Sequence, residues 1–161
     1  MNLLLLKQLS ILSACAGVIL GLITIIPYLS FVSFLVLILW LSAFIIVYLK
    51  QNDLLGIISV REGCIFGALI GFVSFIAFSI VYAPISMLLG WLIPSYSQGF
   101  LRFFMTSFGS VIVMLLLMIL MAGISALFNG FTGLLTAYVY ELITGVKKEA
   151  NENNSVDFKI E

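Results

Sequence analysis

Charge is what this sequence most lacks. Only 9% of its 161 residues are charged, against about 25% in an ordinary globular domain, too few to cover a folded surface in water. Histidine is absent altogether, which removes the commonest general base and a leading metal ligand. Cysteine is scarce: Cys15 and Cys64 sit in apolar runs and form no CxxC pair, which argues against a disulfide scaffold. A thiol-redox enzyme would need a reactive pair or an adjacent base, and neither is present. Basic clusters are limited to Lys147-Lys148 and the net charge is zero, so a nucleic-acid partner is not expected. Acids do not cluster inside the apolar runs, so no metal, cofactor or catalytic residue is assigned and an enzyme is not expected.

What is present is apolar: 63% of residues are hydrophobic and the mean hydropathy is +1.30. Lipid is therefore the expected solvent for most of the exterior. Charges divide the chain into three long uncharged blocks, Gln8 to Leu49, Gly63 to Leu101 and Phe103 to Tyr140. A membrane-spanning helix needs about 20 apolar residues. The first block holds two such spans, 9–26 and 31–49, folded as a hairpin at Pro27-Tyr28. The second holds a span over 63–83, stopped by Pro84. The segment that follows is rich in aromatics, with Trp91, Tyr96, Phe100 and Arg102-Phe103-Phe104, and reads as interfacial. The third gives a span over 106–128. A glycine-punctuated helical extension at 130–145 either continues that helix or breaks from it at Asn129-Gly130. The fold expected is an all-α, polytopic transmembrane bundle of about four spans over residues 1–146, with a disordered cytoplasmic tail at 147–161.

Leu12-Ser13-Ala14-Cys15 matches the pattern that precedes a bacterial lipoprotein cysteine. Lys7 follows the first apolar residues, however, and the chain stays apolar through Ile26, so Cys15 reads as a small residue within the first span. Charge placement sets the orientation. With four spans and a cytoplasmic N-terminus, Lys7, Lys50, Arg61, Lys147, Lys148 and Lys159 are all cytoplasmic and Arg102 alone is outside, as the positive-inside rule requires. A six-span alternative buries the polar stretch from Pro94 to Gly99.

Small residues recur four apart, the spacing that lets helix backbones approach closely in lipid. The sets are Ser13, Gly17 and Gly21 in the first span, Gly63, Gly67 and Gly71 in the third, and Ala122, Ala126 and Gly130 in the last. A shift of fifty residues superimposes the first two sets, which predicts that spans one and three cross each other, or a partner chain, along these faces. Asn129 is the most polar residue in a span and is expected to bond to Thr24, Ser74 or Ser79. Glu141 is the only acid that approaches membrane depth.

The stretch Pro27, Trp40 and Tyr48-Leu49, followed by Ile58-Ser59-Val60-Arg61-Glu62-Gly63 and Gly67-Ala68-Leu69-Ile70-Gly71, resembles a group of small glycine-rich prokaryotic membrane proteins with about four spans and no assigned activity. Such proteins often carry cysteines just after the proline, where this chain has Tyr28-Leu29-Ser30-Phe31. The resemblance implies a topology and no chemistry. The functional expectation is a non-enzymatic structural, assembly or accessory component of the cell membrane. Its partners would be the lipid bilayer and a second copy or another membrane protein. The alternative is a small oligomeric channel or transporter lined by Thr24, Ser74, Ser79, Asn129 and Tyr138.

Overall fold

The computed structural model describes residues 3–52, 59–92 and 111–157. All of the regular structure there is helical: α1 (Leu3–Ile23), α2 (Pro27–Leu35), a π-helical turn (Val36–Trp40), α3 (Leu41–Gln51), α4 (Val60–Leu92) and α5 (Val111–Asp157). Among the described residues, four stretches are long and apolar enough to cross a membrane: Leu5–Ile23, Tyr28–Gln51, Val60–Ser86 and Leu115–Thr144. The second of these, called span two below, comprises α2, the π turn and α3. Of the predicted interfacial segment, Trp91 falls within α4, and Tyr96, Phe100 and Arg102-Phe103-Phe104 lie outside the described residues.

Local chemistry explains where the helices start and stop. Thr24 ends the first span, its hydroxyl donating back to the Leu20 carbonyl at 2.6 Å. Pro27 then opens α2 at a position that needs no amide hydrogen. At the head of α4 the Ser59 N–H donates to Glu62 Oε2 at 3.1 Å, and the Glu62 N–H donates to Ser59 Oγ at 3.3 Å. This reciprocal pair is a capping box, and it fixes the start of the helix.

Two boundaries differ from the sequence expectation. Pro84 does not stop the third span: α4 runs through it to Leu92. A proline removes one helical hydrogen bond, a loss that neighbouring hydroxyls can offset in an apolar bundle. Ser86 Oγ donates to the Ala83 carbonyl at 2.9 Å beside it. For the last span the continuous alternative is the one found, with the extension at 130–145 part of the same helix. Asn129-Gly130 leaves α5 unbroken, and the apolar stretch able to cross a membrane extends to Thr144. The helix also continues to Asp157, through most of the segment expected to be a disordered tail. Extending a formed helix requires no new nucleus, so a polar sequence attached to one can remain helical where an isolated one would not.

α4 lies at the centre of the bundle, between α1 and α5. Span two packs against both α4 and α5. Leu9, Leu37, Leu41, Ile45, Ile46, Leu49, Phe66, Ile70, Phe75 and Phe78 form the buried apolar cluster between them. Phe34, Phe75, Phe78 and Tyr82 extend it as an aromatic ladder, with successive ring centroids 6.5, 5.8 and 5.2 Å apart. Large apolar side chains cover the outside as well, Tyr28 at 95% exposure and Leu127 at 76% among them. A chain surrounded by water would bury such groups; one surrounded by lipid has no reason to.

Candidate functional site around Asn129

The small-residue sets bring helix backbones together, and every described seam lies within the chain. A Cβ at Gly17 would run into the Ser74 carbonyl, and one at Gly21 would come within 3.3 Å of the Phe78 carbonyl. Spans one and three therefore do cross, and in the same chain direction. The glycines of α4 serve a different seam. A Cβ at Gly63 would meet Ala137 and the Gly133 carbonyl, one at Gly67 the Asn129 carbonyl, and one at Gly71 the Ser125 carbonyl at 2.5 Å. Gly63, Gly67 and Gly71 thus receive α5, which runs antiparallel to α4. The fifty-residue correspondence does not carry over into contact: the stripe on α1 packs on α4, and the stripe on α4 packs on α5. Ser13 is fully buried and donates to its own helix at Leu9. Ala122 and Gly130 are buried and Ala126 is half-buried. Gly130 is looser than the glycines of α4, with Ala68 Cβ 3.4 Å from where its own Cβ would be.

That close approach sets Asn129 in the middle of the bundle, fully buried. Its partners are not the hydroxyls of Thr24, Ser74 or Ser79. The side-chain amide instead reaches the π turn of span two. Nδ2 donates to the Leu37 carbonyl at 2.9 Å and the Ile38 carbonyl at 2.8 Å. It also faces the Ser125 carbonyl at 3.0 Å and Ser125 Oγ at 3.3 Å. Two hydrogens thus serve four acceptors in forked bonds. Oδ1 accepts the Ser42 N–H at 2.9 Å. The arrangement fixes which end of the amide is which, because a flipped group would set oxygen against two carbonyls.

The π turn and the asparagine explain each other. A π turn carries one residue more than an α-helical turn, and its backbone groups lose their regular partners. In an apolar interior such groups must be bonded by something else. One carboxamide, with a donor end and an acceptor end, does this for the Leu37 and Ile38 carbonyls and for the Ser42 N–H just beyond the turn.

Around it the network closes. Ser125 Oγ donates to the Gly71 carbonyl at 3.1 Å, which also accepts Ser74 Oγ at 3.2 Å. Thr132 Oγ1 donates to the Asn129 carbonyl at 3.1 Å, so the short contact between Ser42 Oγ and Thr132 Oγ1 has serine as its donor. α4, α5 and span two are thereby joined by polar bonds at one level. Among the described residues, no buried side-chain nitrogen or oxygen lacks a partner.

Glu141 is exposed on the outer surface of α5 and takes no part in this network. Tyr138 is also exposed, whereas Thr24, Ser74 and Ser79 are buried. The five residues considered as a lining do not share one path. Cys15 is exposed, Cys64 is half-buried, and the two are not bonded. No group of three or more metal-ligating side chains occurs among the described residues. Sequence reasoning singled out Asn129 and missed the π turn, Ser42, Ser125 and Thr132, because a π turn in Val36-Leu37-Ile38-Leu39-Trp40 leaves no pattern in the residue types. Compared with protein-family models, with curated proteins and with solved structures, the chain matches none.

Proposed function

We propose that this chain is a non-enzymatic integral membrane protein, a structural, assembly or accessory component that packs against lipid and against another membrane protein or a second copy of itself. The observation that supports this most is the completeness of the Asn129 network. Its donors and acceptors are committed to helix packing, and among the described residues no buried side-chain nitrogen or oxygen is left without a partner. The glycine seams are internal, so the contact surface for a partner is the outer apolar face. On α1 this includes Ile11, Ile19 and Leu22, and on α5 Leu127, Phe131 and Leu135. The positive-inside distribution supports a cytoplasmic side for both termini.

The test is reconstitution in lipid nanodiscs, with native mass spectrometry that retains bound lipids and proteins, alongside ion and solute flux in liposomes. A defined complex without flux is the expected result. Flux that scales with protein and is abolished by Asn129→Leu would overturn the reading in favour of a channel or transporter.

A further inference from the structure

We propose that Asn129 is a latch that holds span two in one of two helical registers, with the register set by how α5 is seated on α4. A π turn amounts to one residue inserted into an α-helix, so it offsets the helix on one side of it from the other by about one residue step, roughly 100°. Asn129 bonds the Leu37 and Ile38 carbonyls and the Ser42 N–H. If the carboxamide withdraws, those groups face an apolar interior. Annealing of Val36–Trp40 into a plain α-helix then pairs them within span two itself.

The two halves of span two are not held equally. α3 buries Leu41, Ser42, Ile45, Ile46 and Leu49. In α2, Ser33 is covered while Tyr28, Phe31 and Val32 are outward. The half that turns is therefore α2, and each of its residues takes the angular place of the one before it. Ser33 moves to the outward place of Val32. Phe34 moves to the covered place of Ser33 and leaves its ring contacts with Phe75 and Phe78.

The latch is tied to the seam because its own backbone is part of it. The Asn129 carbonyl lies against Gly67, and a Cβ at Gly71 would come within 2.7 Å of Asn129 Cβ. At this seam Gly63, Gly67 and Gly71 bring the α5 backbone directly onto α4, with the small Ala68 side chain against Gly130. A shift of α5 along α4 carries the carboxamide away from span two. The bundle thereby has two states, whichever partner it meets.

The test uses the full chain in bilayers, with Cys15 and Cys64 replaced by alanine and single cysteines introduced in turn at 28–35 for spin labelling. Collision with lipid-dissolved oxygen reports which positions face lipid. With Asn129 present, the minimum falls at position 33. In Asn129→Leu it is expected to move one residue, to position 34, with position 33 rising to the level of position 32. Deleting Leu39 in the Asn129→Leu background removes the extra residue and is expected to return the minimum to position 33. A minimum that stays at position 33 in folded Asn129→Leu overturns the proposal. If Asn129→Leu fails to accumulate, the double variant decides: its recovery supports the latch, and its failure to accumulate overturns it.

Discussion

At the scale of single residues, the bundle depends on the polarity of one carboxamide and on the absence of a few methyl groups. Aspartate is nearly the same size as asparagine but would set oxygen where Asn129 presents Nδ2 to the Leu37 and Ile38 carbonyls. Asn129→Asp is expected to lower stability by about 2–3 kcal/mol, since unsatisfied buried groups cost more than the bonds they replace. Ser125→Ala, which removes one buried hydroxyl bonded to the Gly71 carbonyl, is expected to cost about 0.6 kcal/mol, the average for a polar contact between membrane helices. Equilibrium unfolding in bicelles separates the two. The glycines offer a sharper contrast. Gly67→Leu drives a side chain into the Asn129 carbonyl, whereas Gly123 has nothing within 4 Å of where its Cβ would be. The first substitution should prevent folding, and the second should change stability by less than about 0.5 kcal/mol. If both were tolerated equally, the α4–α5 seam described above would be wrong. Asn129 could be singled out from sequence because amides are rare in apolar runs. Its partners could not, because they are backbone groups and every residue has those.

At the scale of helices, the signals that survived were those that act along the chain. Pro27 marked a hairpin because a proline at the first helical position both ends one segment and starts the next. Ser59-Val60-Arg61-Glu62 carries a capping box, whose two partners stand three residues apart at the head of α4. Ser59→Ala is expected to cost about 1 kcal/mol, and amide hydrogen exchange should quicken first in the opening turn of α4. An exchange profile unchanged at 60–63 would remove that role. The stop assigned to Pro84 failed for a physical reason. Proline costs a helix one hydrogen bond, but ending a helix in an apolar medium exposes several. The same imbalance carries α5 through Asn129-Gly130. Small residues four apart signalled close approach in each case, but spacing on one helix cannot say which neighbour will come close. The stripe on α4 accordingly met α5 and not α1.

At the scale of the whole molecule, composition alone gave the fold class, because a chain so poor in charge has few ways to present itself to solvent. Which helix sits at the centre was not legible, since α1, α4 and α5 are all apolar around most of their circumference. Cys15 tests the placement of the bundle. It is exposed between Ile11 and Ile19, themselves 55% and 56% exposed, so it should react with a lipid-soluble maleimide and resist a charged thiol reagent in sealed vesicles. Rapid reaction with the charged reagent would show that this face meets water. The lengths of α4 and α5 have a further consequence. Their apolar stretches, Val60–Ser86 and Leu115–Thr144, measure about 40 and 45 Å at 1.5 Å per residue, beyond the roughly 30 Å of a typical hydrocarbon layer. Oversized helices lean, thicken the lipid around them or gather where the bilayer is already thick. Joined along a glycine seam, these two must lean as a pair, so bilayer thickness becomes a force on their crossing and the protein responds to the membrane as a mechanical environment.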